Sequence, residues 1–387
     1  MPSKKLETLA IHGAEIEIKG TEDVIPPIHR STIFRHRRKS GNRHIYTRHG
    51  NPNRDQLEKL LCSLEAGERH EPAGLQAMAF SSGMAAISAI LQCLKPGATV
   101  AAPDDLYQGT TDLLNLYSDQ GKMAVDYWDM THPEKLFSDA EATQYDLIWL
   151  ETPSNPMLQV TDISKISDWA ERNSVTVVID NTWPTPVNQN PLDFGAHIVV
   201  HSTTKYLGGH SDIIGGALVA KKSSEWAAKL RKKKQKAGAI PSAEDCWLLT
   251  RSIRTLPWRM RGHNENAKAL ANWLDRHPRV EKVCYPGLQD ARGHDIAARQ
   301  MKDFGGMISF QVKGSREQAL EVEQAARLIT PATSLGGVES TWEHRLSSEA
   351  EDSQTPDNLI RISVGLEHIE DIKADIQHCF DEVFGTE

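Results

Sequence analysis

The chain has 387 residues, of which 39% are hydrophobic and 25% charged, and its net charge is −8. This length is enough for roughly two to three domains of about 150 residues each. The composition is typical of a soluble globular protein that buries a large core. The negative net charge argues against a protein built mainly to coat nucleic acid.

The cysteines and the apolar runs indicate the compartment. The five cysteines, at positions 62, 93, 246, 284 and 379, are odd in number and have no CxxC spacing. We therefore expect free thiols in a reducing compartment. The first residues lack the apolar core of a signal peptide, and no apolar run reaches the length of about 18 residues that a membrane helix needs. These features predict a cytoplasmic protein without a membrane span.

Residues 1–55 are rich in basic and polar residues with little periodicity, and they predict an extended arm. After the arm, helical patterns alternate with short apolar runs. The predicted helices are Gln56–Ala66, Met84–Leu94 and Asp162–Arg172, and the predicted strands are Ala98–Ala102, Leu147–Glu151, Val175–Asp180 and Ile198–Val200. Strands that are apolar on both faces and separated by helices predict an α/β fold, in which helices cover both sides of a mostly parallel central sheet. Asp162 is the expected N-cap of its helix.

The pattern changes past about Ser252. The helix predicted at Glu265–His277 is followed by strands at Met307–Val312 and Leu359–Val364. We therefore predict three parts: an N-terminal arm at 1–55, an α/β domain at 56–251 and a smaller C-terminal α+β domain at 252–387. The lysine-rich run at 229–236 is expected to be the solvated face of a helix.

Lys205 and Asp180 carry the strongest chemical signal. Lys205 lies among small hydroxyl residues and glycines just after the apolar run 198–200, and Asp180 ends the preceding predicted strand. Ligands of open α/β sheets bind at the carboxyl ends of the strands, so both side chains belong to the binding edge. Pyridoxal phosphate requires such a pair: a lysine that carries it as a Schiff base, and a carboxylate that keeps its pyridine nitrogen protonated.

A phosphate site is predicted beside this pair. Ser81-Ser82-Gly83-Met84 precedes a predicted helix, where backbone N–H groups bind anions and glycine allows a close approach. Such a start taken alone is usually only a cap. Ser202 and Thr204, which flank Lys205, would add hydroxyl donors to the same phosphate.

The chain resembles the Cys/Met-metabolism family of pyridoxal phosphate enzymes, which includes cystathionine γ-synthase, cystathionine β- and γ-lyases and methionine γ-lyase. The resemblance runs from about Ile45 to Phe384. The motifs that carry it begin at Tyr46 (YTRHGNP), Ser82 (SGMAAI), Asp105 (DLYQG), Glu151 (ETPSNP), Asp180 (DNT), Ser202 (STTKY), Gly209 (GHSD), Ser334 (SLGGVES) and Arg361 (RISVGLE).

The resemblance implies a fold-type I enzyme with pyridoxal 5'-phosphate as cofactor. It makes Lys205 the Schiff-base lysine and proton shuttle, and Asp180 the partner of the pyridine nitrogen. Tyr107 becomes the ring stacked on the cofactor, with a part in protonating the leaving group. The other cofactor-binding positions that it implies are Gly83, Met84, Asn155, Thr182, Ser202 and Thr204.

The resemblance also implies a substrate site and an oligomer. Arg361 matches the arginine that clamps the substrate α-carboxylate, a bidentate task suited to guanidinium. Ser334 matches a serine near the catalytic lysine, and Asn155 and Tyr107 also belong to the substrate site. Tyr46 and Arg48 match phosphate ligands that the family donates from a neighbouring subunit. We therefore expect a homo-oligomer with shared active sites, a dimer or a dimer of dimers (a homotetramer).

The expected reaction is β- or γ-elimination on an amino acid with a heteroatom leaving group, giving an oxo acid and ammonia. Replacement at the γ-carbon is the alternative. Thr333 stands where γ-synthases and γ-lyases usually have glutamate, Leu335 where many β-lyases have tryptophan, and His49 where γ-synthases usually have arginine. Trp183 occurs in some bacterial β-lyases. Because these positions combine features of both groups, they do not decide whether the leaving group departs from the β-carbon or the γ-carbon.

Two other classes of function, nucleic-acid binding and metal binding, have some support in the sequence. The basic segment from Arg30 to Arg48 and the lysine run favour nucleic-acid binding, whereas the net charge and the lack of aromatic residues within the run oppose it. His197 and His201 are four residues apart, but in a strand this spacing does not form the helical pair that zinc sites favour. We expect neither a nucleic-acid partner nor a metal. The basic segment is instead a candidate loop for steering anionic substrate groups, or is merely solvated.

Overall fold

The structure is a computed structural model, and it describes residues 4–14, 23–35, 44–139, 144–349, 353 and 355–386. The helices are α1 (Leu6–His12), α2 (Pro52–Glu65), α3 (Gly83–Leu91), α4 (Gln108–Asp119), α5 (Glu134–Asp139), α6 (Ile163–Arg172), α7 (Thr185–Asn188), α8 (Glu225–Ala237), α9 (Ala243–Ile253), α10 (Leu256–Leu274), α11 (His294–Gln300), α12 (Arg316–Gln324) and α13 (Ile369–Phe384). The strands are β1 (Leu75–Phe80), β2 (Ala98–Pro103), β3 (Met123–Trp128), β4 (Leu147–Glu151), β5 (Thr176–Asp180), β6 (Ile198–Ser202), β7 (Gly216–Lys221), β8 (Val280–Cys284), β9 (Met307–Val312), β10 (Thr330–Pro331), β11 (Thr341–His344) and β12 (Leu359–Ser363).

The larger sheet has seven strands in the order β1-β7-β6-β5-β4-β2-β3. The five strands β2 to β6 are all parallel to one another. Strand β7 is antiparallel to both of its neighbours, β1 and β6. All five residues of β4 are buried, because helices cover both faces of the sheet. The predicted mostly parallel sheet is confirmed. Its parallel strands bring Glu151 and Asp180, paired in register, to one edge.

The smaller sheet has five strands in the order β10-β11-β12-β9-β8. Strand β12 lies between β11 and β9 and is antiparallel to both. Its apolar residues Ile360 and Ile362 are fully buried, and they share a core with Phe310 and Trp342. The register places Glu343 of β11 directly opposite Arg361 of β12.

The N-terminal segment is more ordered than the predicted extended arm. Helix α1 packs on α2 and buries Ala10 completely. Helix α2 begins at Pro52, inside the predicted arm, and the Asn51 side chain caps it by accepting the N–H of Asn53. Residues 1–3, 15–22 and 36–43 lie outside the described residues. The three proposed domain limits remain a prediction.

Several local predictions can be compared directly with the structure. Strands β4 and β9 have the predicted bounds, and Asp162 caps α6 by accepting the N–H of Lys165 at 3.0 Å. The lysine run lies on α8, where most of its side chains are exposed, but Lys234 is buried and pairs with Glu58. The five cysteines are free thiols. Among the helices of the described residues, none is both long and apolar enough to span a bilayer.

Candidate active site

Lys205 follows β6 by three residues and is half-buried at the binding edge of the larger sheet. Its Nζ donates a hydrogen bond to Ser334 Oγ at 2.6 Å. Burial, and then the positive charge of Arg361, lower the pKa of the Lys205 amine to about 8. A lysine with such a pKa serves as a nucleophile and proton carrier near neutral pH.

Asp180 is the last residue of β5 and is buried beside β6, the strand that precedes Lys205. Its Oδ1 accepts the N–H of Thr182 at 2.9 Å, and Thr182 Oγ1 accepts the N–H of Ser202 at 2.8 Å, which ties the ends of β5 and β6 together. Burial raises the pKa of the Asp180 carboxyl, while the Thr182 hydrogen bonds and the charge of His201 oppose this shift. A cationic group bound against Asp180 would favour the ionised carboxylate.

The first turn of α3 forms the candidate phosphate cradle. Ser82 caps the helix by accepting the N–H of Ala85 at 3.0 Å, so its hydroxyl is already used. A Cβ at position 83 would lie 3.0 Å from Ser202 Cβ, so glycine permits this close approach. Gly83 and Met84 present first-turn backbone N–H groups, which bind anions. The Thr204 hydroxyl instead bonds with the backbone of Gly215, accepting its N–H at 3.1 Å.

Tyr107 precedes α4, and its side chain is 40% exposed. Its backbone N–H donates to Glu151 Oε2 at 3.1 Å. A Cβ at Gly109 would lie 2.7 Å from Tyr107 Cε1, so the ring lies close against the backbone of its own helix. Burial raises the pKa of the Tyr107 hydroxyl, and the nearby charge of Arg345 opposes this shift.

Arg361 lies on β12 and reaches the same edge. Its Nη1 donates to Asn155 Oδ1 at 2.7 Å, and its Nη2 forms a buried ion pair with Glu343 and lies 3.4 Å from the carbonyl oxygen of Ser334. Ser334 has a backbone φ of +85°, a conformation that side chains other than glycine rarely adopt. Such strain is often found where a structure fixes a functional side chain, here the hydroxyl bound to Lys205.

Tyr46 and Arg48 lie in the segment that precedes α2. Both are exposed, and Arg48 Cζ lies 5.3 Å from the Tyr46 ring centroid. Among the described residues, neither forms a hydrogen bond with Lys205, Asp180 or Arg361. Of the basic segment, Arg30 pairs with Glu244 at 2.5 Å, whereas Arg37, Arg38, Lys39 and Arg43 lie outside the described residues.

Sequence reasoning missed two buried groups. The first is the buried hydrogen bond between His201 Nε2 and Glu65 Oε1 at 2.5 Å. The second is Glu343, the partner of Arg361, together with Arg345, which donates to the same Glu343 oxygen. The strand β11 that carries Glu343 was not predicted, so no pattern placed this carboxylate opposite Arg361. His197, the other histidine considered, accepts the N–H of Val177 at 3.0 Å through Nδ1.

These residues fit pyridoxal phosphate. The fit rests on an amine with a lowered pKa at Lys205, a buried carboxyl at Asp180 whose pKa is raised by burial, and a glycine-lined helix N-terminus. The three features follow or end β6, β5 and β1, which run in the same direction, so they lie at the edge of the sheet where α/β folds bind ligands.

The family model for Cys/Met metabolism PLP-dependent enzymes matches residues 7–381. The chain belongs to this family. The similar proteins include a cystathionine gamma-lyase of Dictyostelium discoideum, 39% identical over 98% of both chains. A cystathionine beta-lyase of Coxiella burnetii is 37% identical and covers 96% of this chain and 97% of its own. The crystal structure of cystathionine gamma synthase from Xanthomonas oryzae pv. oryzae, in complex with aminoacrylate and cysteine, matches with a TM-score of 0.93 at 37% identity, over 99% of this chain and 100% of that chain.

The predicted family, fold and cofactor are therefore confirmed. The chain is a fold-type I enzyme that depends on pyridoxal phosphate and catalyses elimination or replacement. Members of the family with three different names match nearly the whole chain at similar identity. Overall similarity therefore does not distinguish β- from γ-chemistry, and the side chains around the site must do so.

Proposed function

We propose that this Cys/Met-metabolism enzyme is a lyase that eliminates a heteroatom group, sulfur or similar, from the β- or γ-carbon of an amino acid. The observation that carries the proposal is the position of the Lys205 amine. It lies in one site with Asp180 and with Arg361, a cation suited to an α-carboxylate. A replacement reaction is the second candidate, favoured by the likeness to the gamma synthase structure.

Bound pyridoxal phosphate supplies an aldehyde for the substrate amine and a ring that withdraws electrons from Cα. Gly83, Met84 and Ser202 would hold its phosphate, joined by Thr204 once its hydroxyl turns from the Gly215 carbonyl oxygen, to which it donates at 3.3 Å. Asp180 and Thr182 would hold its pyridine side. In this proposal Asn155 binds the cofactor's phenolic oxygen and, with Arg361, the substrate. These roles use donors and charges that the chain presents at one edge.

Lys205 moves the protons. Its free Nζ takes the proton from Cα, and for a γ-leaving group it then takes one from Cβ. Ser334 Oγ orients the amine through the 2.6 Å hydrogen bond. Tyr107 donates a proton to the departing heteroatom; burial raises the pKa of its hydroxyl, which keeps the proton in place before the reaction, and the charge of Arg345 opposes this rise.

The active site would be completed by a second subunit. Tyr46 and Arg48 are exposed, and among the described residues neither forms a hydrogen bond with Lys205, Asp180 or Arg361, while a phosphate dianion requires a cation. We therefore propose that Arg48 and Tyr46 bind the phosphate in a neighbouring copy, within a dimer or a dimer of dimers. We also propose a cytoplasmic location, because the free cysteines suit a reducing compartment.

A substrate panel tests the reaction. The holoenzyme is incubated with cystathionine, methionine, homocysteine, O-acylhomoserines and canavanine, and the oxo acid, ammonia and released fragment are measured by mass. An oxo acid formed without an added nucleophile supports the lyase. Product formed only when a thiol is added would instead identify a replacement enzyme. The Lys205→Ala variant, which should retain some noncovalent cofactor, is the control for proton transfer, and full activity in it would contradict the assigned role.

A further inference from the structure

Four buried charged side chains form a continuous chain at one wall of the site. Arg361 pairs with Glu343, Glu343 Oε1 also accepts from Arg345 Nη1 at 2.8 Å, and Arg345 Nε lies 2.7 Å from Glu349 Oε1. Their side chains are between 4% and 8% exposed. We call these four residues the charge relay, a name that refers to their alternating charges and not to proton transfer.

The two carboxylates of the charge relay are fixed by further hydrogen bonds. Glu343 Oε2 accepts from Ser348 Oγ at 3.2 Å, and Glu349 Oε2 accepts from Thr355 Oγ1 at 2.6 Å. Both glutamates therefore have partners on both oxygens. The cross-strand register of β11 and β12 holds Glu343 opposite Arg361, so these two members of the relay are part of the sheet, while Arg345 and Glu349 lie just after β11.

The charge relay has no net charge, since two guanidinium groups face two carboxylates. It lies against the reacting groups, because Arg361 and Arg345 both act on the Lys205 amine, and Arg345 acts on the Tyr107 hydroxyl. Nearby, burial raises the pKa of the Asp105 carboxyl to about 6, and the negative charges of Asp104 and Glu349 add to this rise. The charge relay and Asp105 therefore offer no net positive charge that could bind a second carboxylate group of the substrate.

We propose that the charge relay restricts the substrate to one carboxylate, so that the distal group beyond the leaving atom is neutral or cationic. The proposal rests on the assignment of Arg361 to the α-carboxylate. Once that carboxylate is bound, the relay and the bound carboxylate group together carry one negative charge. A second carboxylate would add a like charge at low dielectric, whereas a guanidinium or ammonium group would neutralise the first.

A binding series tests this without any elimination. Norleucine, 2-aminoadipate and lysine share the α-amino acid group and differ in distal charge, and none has a leaving group at Cβ or Cγ. Their dissociation constants are measured on the holoenzyme from the change in cofactor absorbance. We expect 2-aminoadipate to bind at least about tenfold more weakly than norleucine, and lysine no more weakly than norleucine. Tightest binding of 2-aminoadipate would overturn the proposal.

A variant isolates the relay. Glu349→Gln makes the relay positive by one charge, so the ratio of the 2-aminoadipate to the norleucine dissociation constant should fall by about tenfold. Glu370→Gln is the matched control, because Glu370 is exposed on α13 and pairs with Lys373. An unchanged ratio in Glu349→Gln would contradict the proposal.

The same series separates this inference from the proposed reaction. If Glu349→Gln fails to retain the cofactor, Arg345→Gln is used in its place. This variant gives the relay a charge of −1, so the ratio of the 2-aminoadipate to the norleucine dissociation constant should rise. A ratio that does not rise would overturn the proposal. If the ratios follow the relay charge but no panel substrate yields an oxo acid, the lyase assignment fails and the charge rule holds. If an oxo acid forms but 2-aminoadipate binds best, the charge rule alone fails.

Discussion

The lowered pKa of Lys205 predicts the pH at which the enzyme takes up its cofactor. Burial and Arg361 lower this pKa from 10.5 to about 8. At pH 7 roughly one amine in ten is then unprotonated, against about one in 3,000 for an unperturbed lysine. The gain in reactive amine is about 300-fold, and it comes from the environment of Lys205 alone.

The assay uses enzyme stripped of its cofactor and mixed with pyridoxal phosphate. The rate of covalent attachment, trapped with borohydride, is measured from pH 6 to pH 11. Because the lysine reacts only as the free amine, the rate should rise with pH, reach half its maximum near pH 8 and level off above pH 9. Arg361→Leu removes a neighbouring cation and leaves Glu343 near Lys205, so its midpoint should shift to higher pH.

The refuting result is a rate that keeps rising toward pH 10 or above, as for an exposed lysine. An unshifted midpoint in Arg361→Leu would show that Arg361 does not act on the amine. An exposed lysine such as Lys95, whose side chain is 67% exposed, provides the internal comparison for borohydride labelling.

Two further outcomes are expected. Arg48→Ala should weaken cofactor retention, and mixing it with Lys205→Ala should restore some active sites through subunit exchange, as measured by oxo acid formation. No rescue after confirmed exchange would count against a shared site. Glu65→Leu removes the buried hydrogen-bond partner of His201 Nε2 and should lower the free energy of unfolding by about 1–3 kcal/mol, measured by denaturant titration, whereas Glu65→Gln keeps a hydrogen-bonding group and should cost less. Equal stability of all three proteins would contradict the buried-pair assignment.

The sequence predicted the elements whose signal is local. Strands β4 and β9 are apolar runs with clear limits, and their bounds agree with the structure. Helix α1 was missed because seven residues are too few for a clear period, and such a short helix depends on tertiary packing, here of Ala10 against α2. Strand β7 was missed because it follows a glycine-rich segment that indicated close approach to a ligand rather than a strand.

In the candidate site, too, the residues with a local sequence signal could be predicted and those that depend on long-range strand pairing could not. Lys205 and Asp180 follow apolar strands, so their place at the binding edge could be derived from the pattern, and their roles from the resemblance. The partners of Arg361 could not be derived. Glu343 lies 18 residues before Arg361, and the pair forms only when β11 and β12 align in register. Such a pairing depends on long-range strand order, which a periodicity does not contain.

The charge relay also bears on why a buried polar wall is present at all. Buried ion pairs contribute little net stability, since desolvation offsets their attraction, and hydrophobic residues of similar volume often serve as well. Arg361 and Glu343 belong to a sheet whose core side is filled by Ile360 and Ile362, so apolar packing already stabilises these strands. The relay is therefore better explained by the site than by the fold. It holds one guanidinium for the α-carboxylate while Glu343 and Glu349 cancel the charge that would otherwise attract a second.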